Sequence, residues 1–389
     1  MKLHKTASTS SEVVGSIDDL LNQILLRLPV KSLMRFKLVS KNWQSLITSP
    51  CFSLQYNPGR NAAVGLFYPE LKSTAFVYIH LNVQVTTKPP FTELNFAVDP
   101  DPIWIHHSCN GLLLCCSFVI FDHYRSCERS TIGKCFVYNP TTNCSTKLPR
   151  PGIMNGVPMS VCGIYLAFDP ANSPSHKVVC VRESEFSTKL RQIEIYSSES
   201  DEWRVSGEPF VSRANFHNGV YWNGSIHWIN SINAEVLRFN VDEERLGKIP
   251  MPGSMWSSFG YFGESCDHLH LILCYDLGPN LIVYEMKRDC SEWFVKYRVD
   301  LAEVRAALPE MAYLEYYIKE CFHWFSIFSL VRSKKGSAFL VLKVCRKVLQ
   351  LSLECNTFEE VYTLGDDAIG YPAHQYIESL HMFRGPASC

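Results

Sequence analysis

A strand-turn-strand phrase recurs along most of this chain and limits the folds open to it. An apolar run of strand length ends at an aromatic or aliphatic residue, a polar turn follows, and a second run leads to a stop such as Leu-Pro. Copies begin at Cys135 ("CFVYNPTTNCSTKLP"), Ile193 ("IEIYSSESDEW"), Val236 ("VLRFNVDEERLGKIP"), Leu281 ("LIVYEMKRDCSEW") and Val348 ("VLQLSLECNTFEEV"), with a weaker one at Ala75 ("AFVYIHL"). The marker positions Tyr78, Tyr138, Tyr196, Phe239, Tyr284 and Leu351 are separated by 60, 58, 43, 45 and 67 residues.

Each copy reads as a β-hairpin whose outer strand carries a packing aromatic such as Trp203 or Trp293. One hairpin cannot bury its own face, so such units must stack on neighbours. Four-stranded blades closing radially need roughly 40 to 50 residues each, close to this spacing. The expectation is an all-β propeller of about six blades over 60–385, with "YIESLHM" from Tyr376 pairing back into the first blade. A pair of β-sandwiches or an irregular all-β domain is the competing arrangement. Part of 301–320 ("LAEVRAALPEM") reads as a helical insertion.

The first 55 residues have another texture. Residues 1–15 are small and polar, a disordered tail by composition. Asp18 and Asp19 then open a helix, with Leu20, Leu21, Ile24, Leu25 and Leu28 along its apolar stripe. Pro29 cannot continue it. A second helix from about Lys31 carries Leu33, Phe36 and Val39, and a third, capped by Ser40, carries Trp43, Leu46 and Ile47. Three short helices are too small for a self-sufficient core. The following domain or another protein must cover them.

Composition narrows the function. The 37 basic and 38 acidic residues nearly cancel, so the balance calls for neither nucleic acid nor an anionic membrane as partner. "MKLHKTASTSSEVVG" lacks a signal-peptide run, and no apolar stretch reaches the ~18 residues of a membrane span. Most of the 16 cysteines, Cys115, Cys116, Cys180 and Cys274 among them, sit inside apolar runs, which fits thiols in a reducing cytoplasm or nucleus. The sequons at Asn143 and Asn223 are then chance matches.

"IDDLLNQILLRLPVKSLMRFKLVSKNWQSLITSPCF" from Ile17 resembles the F-box of plant F-box proteins, and places the F-box domain at 16–55. "NGLLLC" at 110, "VYNPTT" at 137, "GVYWNGSIHWI" at 219 and "YIESL" at 376 resemble phrases of the F-box-associated β-propeller that follows it in that family. The resemblance implies a non-catalytic substrate-recognition subunit of a Skp-cullin-F-box ubiquitin ligase. The F-box would dock on a Skp-type adaptor, reaching a cullin and RING subunit through it, while the propeller holds a protein substrate. The adaptor face expected is Leu20, Leu21, Ile24, Leu25, Leu28, Pro29, Val30, Leu33, Phe36, Val39 and Trp43. Arg27, Lys31, Arg35, Lys37 and Lys41 against Asp18 and Asp19 give residues 16–50 a charge of +3, suited to an acidic partner. One departure stands out: Ser16-Ile17 replaces the Leu-Pro that usually opens the motif. A stand-alone β-propeller scaffold outside a ligase is the alternative.

No catalytic constellation, cofactor fingerprint or metal set is expected. There is no G-x-S-x-G elbow, P-loop or dinucleotide motif. Cys115-Cys116 reads as part of a buried strand. His106-His107 and the His268/His270 pair on "DHLHLIL" have the residue types of metal ligands but no matching cluster, and "RSKKG" at 332 reads as a solvated basic turn. Substrate contacts are expected on the long connections 151–163, 251–263 and 308–325. Trp256, Tyr261, Tyr313, Tyr316 and Tyr317 supply the aromatic types that anchor interfaces there.

Overall fold

The structure is a computed structural model that describes residues 18–56, 62–70, 75–82, 88–94, 102–117, 132–154, 157–252, 258–275, 280–308, 325–333, 336–365 and 372–383. The tail 1–15 and Ser16-Ile17 lie outside the described residues. No described helix is long and apolar enough to cross a membrane.

The chain opens with four helices rather than three: α1 (Asp18–Leu25), α2 (Val30–Phe36), α3 (Lys41–Thr48) and α4 (Pro50–Gln55). The fourth begins where Ser49 accepts the N–H of Phe52 at 3.1 Å and Pro50 takes a first-turn position, whose N–H would be unpaired in any case.

Six blades follow. In chain order the strands are β1 (Gly65–Pro69), β2 (Phe76–His80), β3 (Ile103–Cys109), β4 (Leu112–Ser117), β5 (Cys135–Asn139) and β6 (Cys144–Leu148). A two-residue-strand hairpin, β7 (Ile153–Met154) and β8 (Val157–Pro158), leads into the third blade. That blade is β9 (Val161–Ala167), β10 (Lys177–Glu183), β11 (Leu190–Ser197) and β12 (Glu202–Val211). The fourth is β13 (Gly219–Trp222), β14 (Ser225–Asn230), β15 (Glu235–Asn240) and β16 (Arg245–Pro250). The fifth is β17 (Ser258–Ser265), β18 (His268–Tyr275), β19 (Asn280–Met286) and β20 (Trp293–Asp300). After helix α5 (Ala302–Ala307), inside the expected insertion, the sixth is β21 (Phe325–Arg332), β22 (Ala338–Val344), β23 (Lys347–Ser352) and β24 (Phe358–Thr363). The last strand, β25 (His374–Tyr376), pairs antiparallel with β1, Tyr376 opposite Gly65. It is the innermost strand of the first blade, so the two ends of the sheet region share one blade and close the ring.

Closure is visible in the core. Six clusters of described residues each span two successive blades, including the sixth with the first through Val341, Val348, Leu66 and Ile79. Apolar area leaves water mainly between blades, which is why a single blade has no core of its own.

Turn chemistry fixes the registers. Asn110-Gly111, Asn223-Gly224 and Cys266-Asp267 have positive φ at both residues, the conformation a two-residue hairpin requires. Every described turn from third to fourth strand contains a left-handed residue, namely Asn143, Asp201, Glu244, Cys290 or Asn356. The marker tyrosines brace two of them: Tyr138 donates to Asn143 Oδ1 at 2.9 Å and Tyr196 to Asp201 Oδ1 at 2.8 Å. The six markers all lie on the third strand counted from the axis, so the recurring hairpin is the outer half of each blade.

Cys115, Cys116, Cys180 and Cys274 are buried without disulfides, as their apolar settings imply. Cys144 is disulfide-bonded, against the expectation of thiols throughout.

Candidate protein-interaction site

The helical unit builds its core from one side of its apolar stripes. Leu21 and Leu25 of α1, Val30 and Leu33 of α2 and Ile47 of α3 are buried together with Phe52 and Tyr56. Tyr56 stacks on Phe52 and donates its hydroxyl to the Leu28 carbonyl at 2.6 Å. Burial, with the Glu378 carboxylate adding, pushes that hydroxyl up to about 12. Asn42 donates to Asp18 at 3.1 Å and Asn22 to Gln55 at 3.0 Å, tying α1 to α3 and α4.

The expected adaptor residues therefore divide. Leu21, Leu25, Val30 and Leu33 fill the unit's interior. Leu28, Phe36 and Trp43 are half-buried against it, the last two edge to face at 5.2 Å. Pro29 is exposed, as are Leu20 (43%), Ile24 (46%) and Val39 (59%). Leu38, which no helical pattern singled out, is 88% exposed, because α2 stops at Phe36 and residues 37–39 form a turn that turns both Leu38 and Val39 outward.

One residue of the helical core comes from the far end of the chain. Leu380 is buried within it. The segment that follows β25 is held on the second blade by Asn139, whose carboxamide donates to the carbonyls of Ser379 (3.1 Å) and His381 (2.9 Å). Thr141 Oγ1 accepts the Ser379 N–H at 3.0 Å. A Cβ at Gly111 (φ +90°) would lie 2.4 Å from that of Ser379, so the passage is open only to glycine. Two basic residues of the helices also turn to this segment. Lys31 stands 3.7 Å from Glu378, and Lys37 donates to Met382 Sδ at 3.5 Å, its pKa lowered by burial. Arg27, Arg35 and Lys41 remain exposed.

These contacts fix which end of the ring is which. Antiparallel strands return the chain alternately to the two ends. The Asn110-Gly111 turn and Thr141 of the β5-to-β6 turn meet the segment under the helices. The first strands β9, β17 and β21 begin at the opposite end, and residues 155–156, 253–257 and 309–324 of the connections into them lie outside the described residues. Trp256, Tyr313, Tyr316 and Tyr317 lie outside the described residues. Tyr261 is on β17 and faces the central cavity, its hydroxyl pKa raised by burial.

The other singled-out groups are engaged structurally. His268 and His270 converge on Glu285 at 3.0 and 3.5 Å, and Arg332 of "RSKKG" joins them at 2.7 Å; Glu285 is held well below the usual carboxylate range. Lys334 and Lys335 lie outside the described residues. Cys115 and Cys116 are on β4, and the Cys116 thiol faces that of Cys135 at 2.8 Å. His107 on β3 accepts the Leu166 N–H of β9 at 3.1 Å, joining two blades.

The F-box domain family matches residues 18–55, and the F-box associated beta propeller domain family matches residues 71–287. The F-box protein At5g07610 of Arabidopsis thaliana is 31% identical, over 91% of this chain and 87% of its own. The F-box protein At5g49610 of the same plant is 26% identical, over 75% of this chain and 81% of its own. Among solved structures, a chain of a nidogen/laminin complex aligns at 10% identity with a TM-score of 0.42, covering 81% of this chain and 99% of that one.

Proposed function

The chain belongs to the F-box proteins that carry an F-box associated β-propeller, and on that premise we propose that it is the substrate-recognition subunit of a Skp-cullin-F-box ubiquitin ligase. The F-box docks on a Skp-type adaptor, which brings the cullin and RING subunit, and the propeller presents a protein substrate for ubiquitination in the cytoplasm or nucleus. The chain contributes position and no catalytic group.

One observation carries the docking half. The helical unit closes its core with Leu380 from the far end of the chain, yet leaves Leu20 and Ile24 exposed one turn apart on α1 and Leu38 and Val39 exposed after α2. Apolar side chains at this exposure are stabilised by a helical partner that covers them. The exposed Arg27, Arg35 and Lys41 favour an acidic partner and speed its encounter. The substrate half rests on topology. The first strands of the blades begin at the end of the ring away from the helices, so a substrate held at that end leaves the adaptor surface open.

A titration of a purified plant Skp adaptor against the full chain and two surface variants tests this. Leu20→Asp/Ile24→Asp and Leu38→Asp/Val39→Asp are each expected to weaken binding at least tenfold while leaving the thermal unfolding of the ring unchanged. Wild-type affinity in both variants would sink the reading.

A further inference from the structure

The first strands of the blades surround a cavity of about 520 Å³ on the ring axis, inside the roughly 300–1,000 Å³ range of small-molecule sites. Its lining includes the exposed His217 and Asn218 on the connection into β13, so it reaches the end of the ring away from the helices.

The chemistry of the wall is uncharged. Among the described residues no Lys or Arg lines it. Its one carboxylate, Glu264, accepts the backbone N–H of Asp267 at 2.5 Å. Burial holds His106 and His107 at about 4 and His374 at about 3, so all three imidazoles are neutral at physiological pH. Gln375 donates to Ser329 Oγ at 2.8 Å and to the Glu264 carbonyl at 3.2 Å, a neutral amide held in the wall. Tyr165, Tyr261 and Phe328 add ring surface.

We propose that this cavity is a binding site for an uncharged small molecule with an aromatic body and an amide or hydroxyl group. A carboxylate or phosphate entering it sheds water and meets no cation. An ammonium meets one carboxylate already engaged by a backbone N–H. A neutral amide loses far less hydration, and its donors and acceptors match imidazole, hydroxyl and carboxamide partners, while its ring packs edge or face against the aromatic wall. The mouth at His217 and Asn218 is at the end away from the helices, while Cys109, Asn110 and Ile377 carry the lining toward the turn beneath them.

Three probes of one shape and different charge test it: 3-phenylpropanamide, 3-phenylpropanoate and 3-phenylpropylamine, each titrated into the full chain by saturation-transfer NMR. The amide is expected to bind at least tenfold more tightly than either ion. Ser326→Trp, at an exposed lining position, fills the cavity and is expected to abolish the amide signal without lowering the melting temperature. The histidine variant His374→Leu is expected to weaken the amide while leaving the ions unbound. Equal binding of the three probes, tighter binding of an ion, no amide binding at millimolar concentration, or an amide signal that survives Ser326→Trp would each overturn the site.

Discussion

The buried carboxamide of Asn139 donates to the backbone carbonyl of His381 at 2.9 Å, and with this bond the second blade grips the segment that carries Leu380 into the helical core. The helices are thereby attached to the ring at two places, through the connection after Tyr56 and through residues that follow the last strand.

Replacing Asn139 by Ala leaves two carbonyls without their donor in a buried site, which costs about 1–3 kcal/mol for each group left unpaired. Asn139→Ala is expected to increase amide hydrogen exchange in α1–α4 more than in the fourth and fifth blades. Uniform exchange across the chain would show that the segment does not hold the helices.

Glycine at 111 can be separated from its backbone strain by a second glycine. Gly111 and Gly224 both have positive φ and both follow an asparagine, but a Cβ at Gly224 meets nothing within 4 Å. Gly224→Ala is expected to cost roughly 1–2 kcal/mol from the left-handed backbone alone. Gly111→Ala adds the clash with Ser379 and should destabilise more in urea unfolding; equal losses would refute the packing explanation.

In the third blade Arg182 and Glu194 form a buried pair at 2.5 Å, and the second carboxylate oxygen of Glu194 accepts the Gly152 N–H at 3.0 Å. Glu194→Ala strands the guanidinium and is expected to cost about 3–5 kcal/mol. Arg182→Met/Glu194→Leu should recover most of that loss in chemical denaturation. A double variant as unstable as the single one would mean that the pair stabilises the blade beyond avoiding an unpaired charge.

Acid acts on the same attachment. His381 is held at about 4 and its neighbour His176 at about 3, chiefly by burial, with the two rings 5.7 Å apart. Both values lie below the ordinary 6.5, so the folded state prefers the neutral rings. Stability is full above pH 6.5 and is lost as pH falls from there to about 4 and below. His381→Phe is expected to flatten the melting temperature across that window; an unchanged acid slope would place the sensitivity elsewhere.

The outer half of each blade was legible in the sequence because its information is local. A marker such as Tyr138 and the turn residue Asn143 that it braces lie within one hairpin. The second strands were harder to read, since β4 and β14 are buried on both faces and show no alternation. The closing strand is three residues long and has meaning only beside β1. The helical face shows the limit most clearly. Leu20, Leu21, Ile24 and Leu25 form one apolar stripe in sequence, and packing sends Leu21 and Leu25 inward and the other two outward. Leu380, far along the chain, shares the core that decides this, and helical periodicity holds no record of it.

The position of β25 and Leu380 also sets an order of events during synthesis. Residues 374–381 leave the ribosome after every other described strand and helix, yet they complete the first blade and finish the core of the first helices. Until they emerge, the N-terminal helices lack a core residue and β1 lacks its inner neighbour. A chain cut short before His374 would have neither a sealed ring nor a finished helical unit.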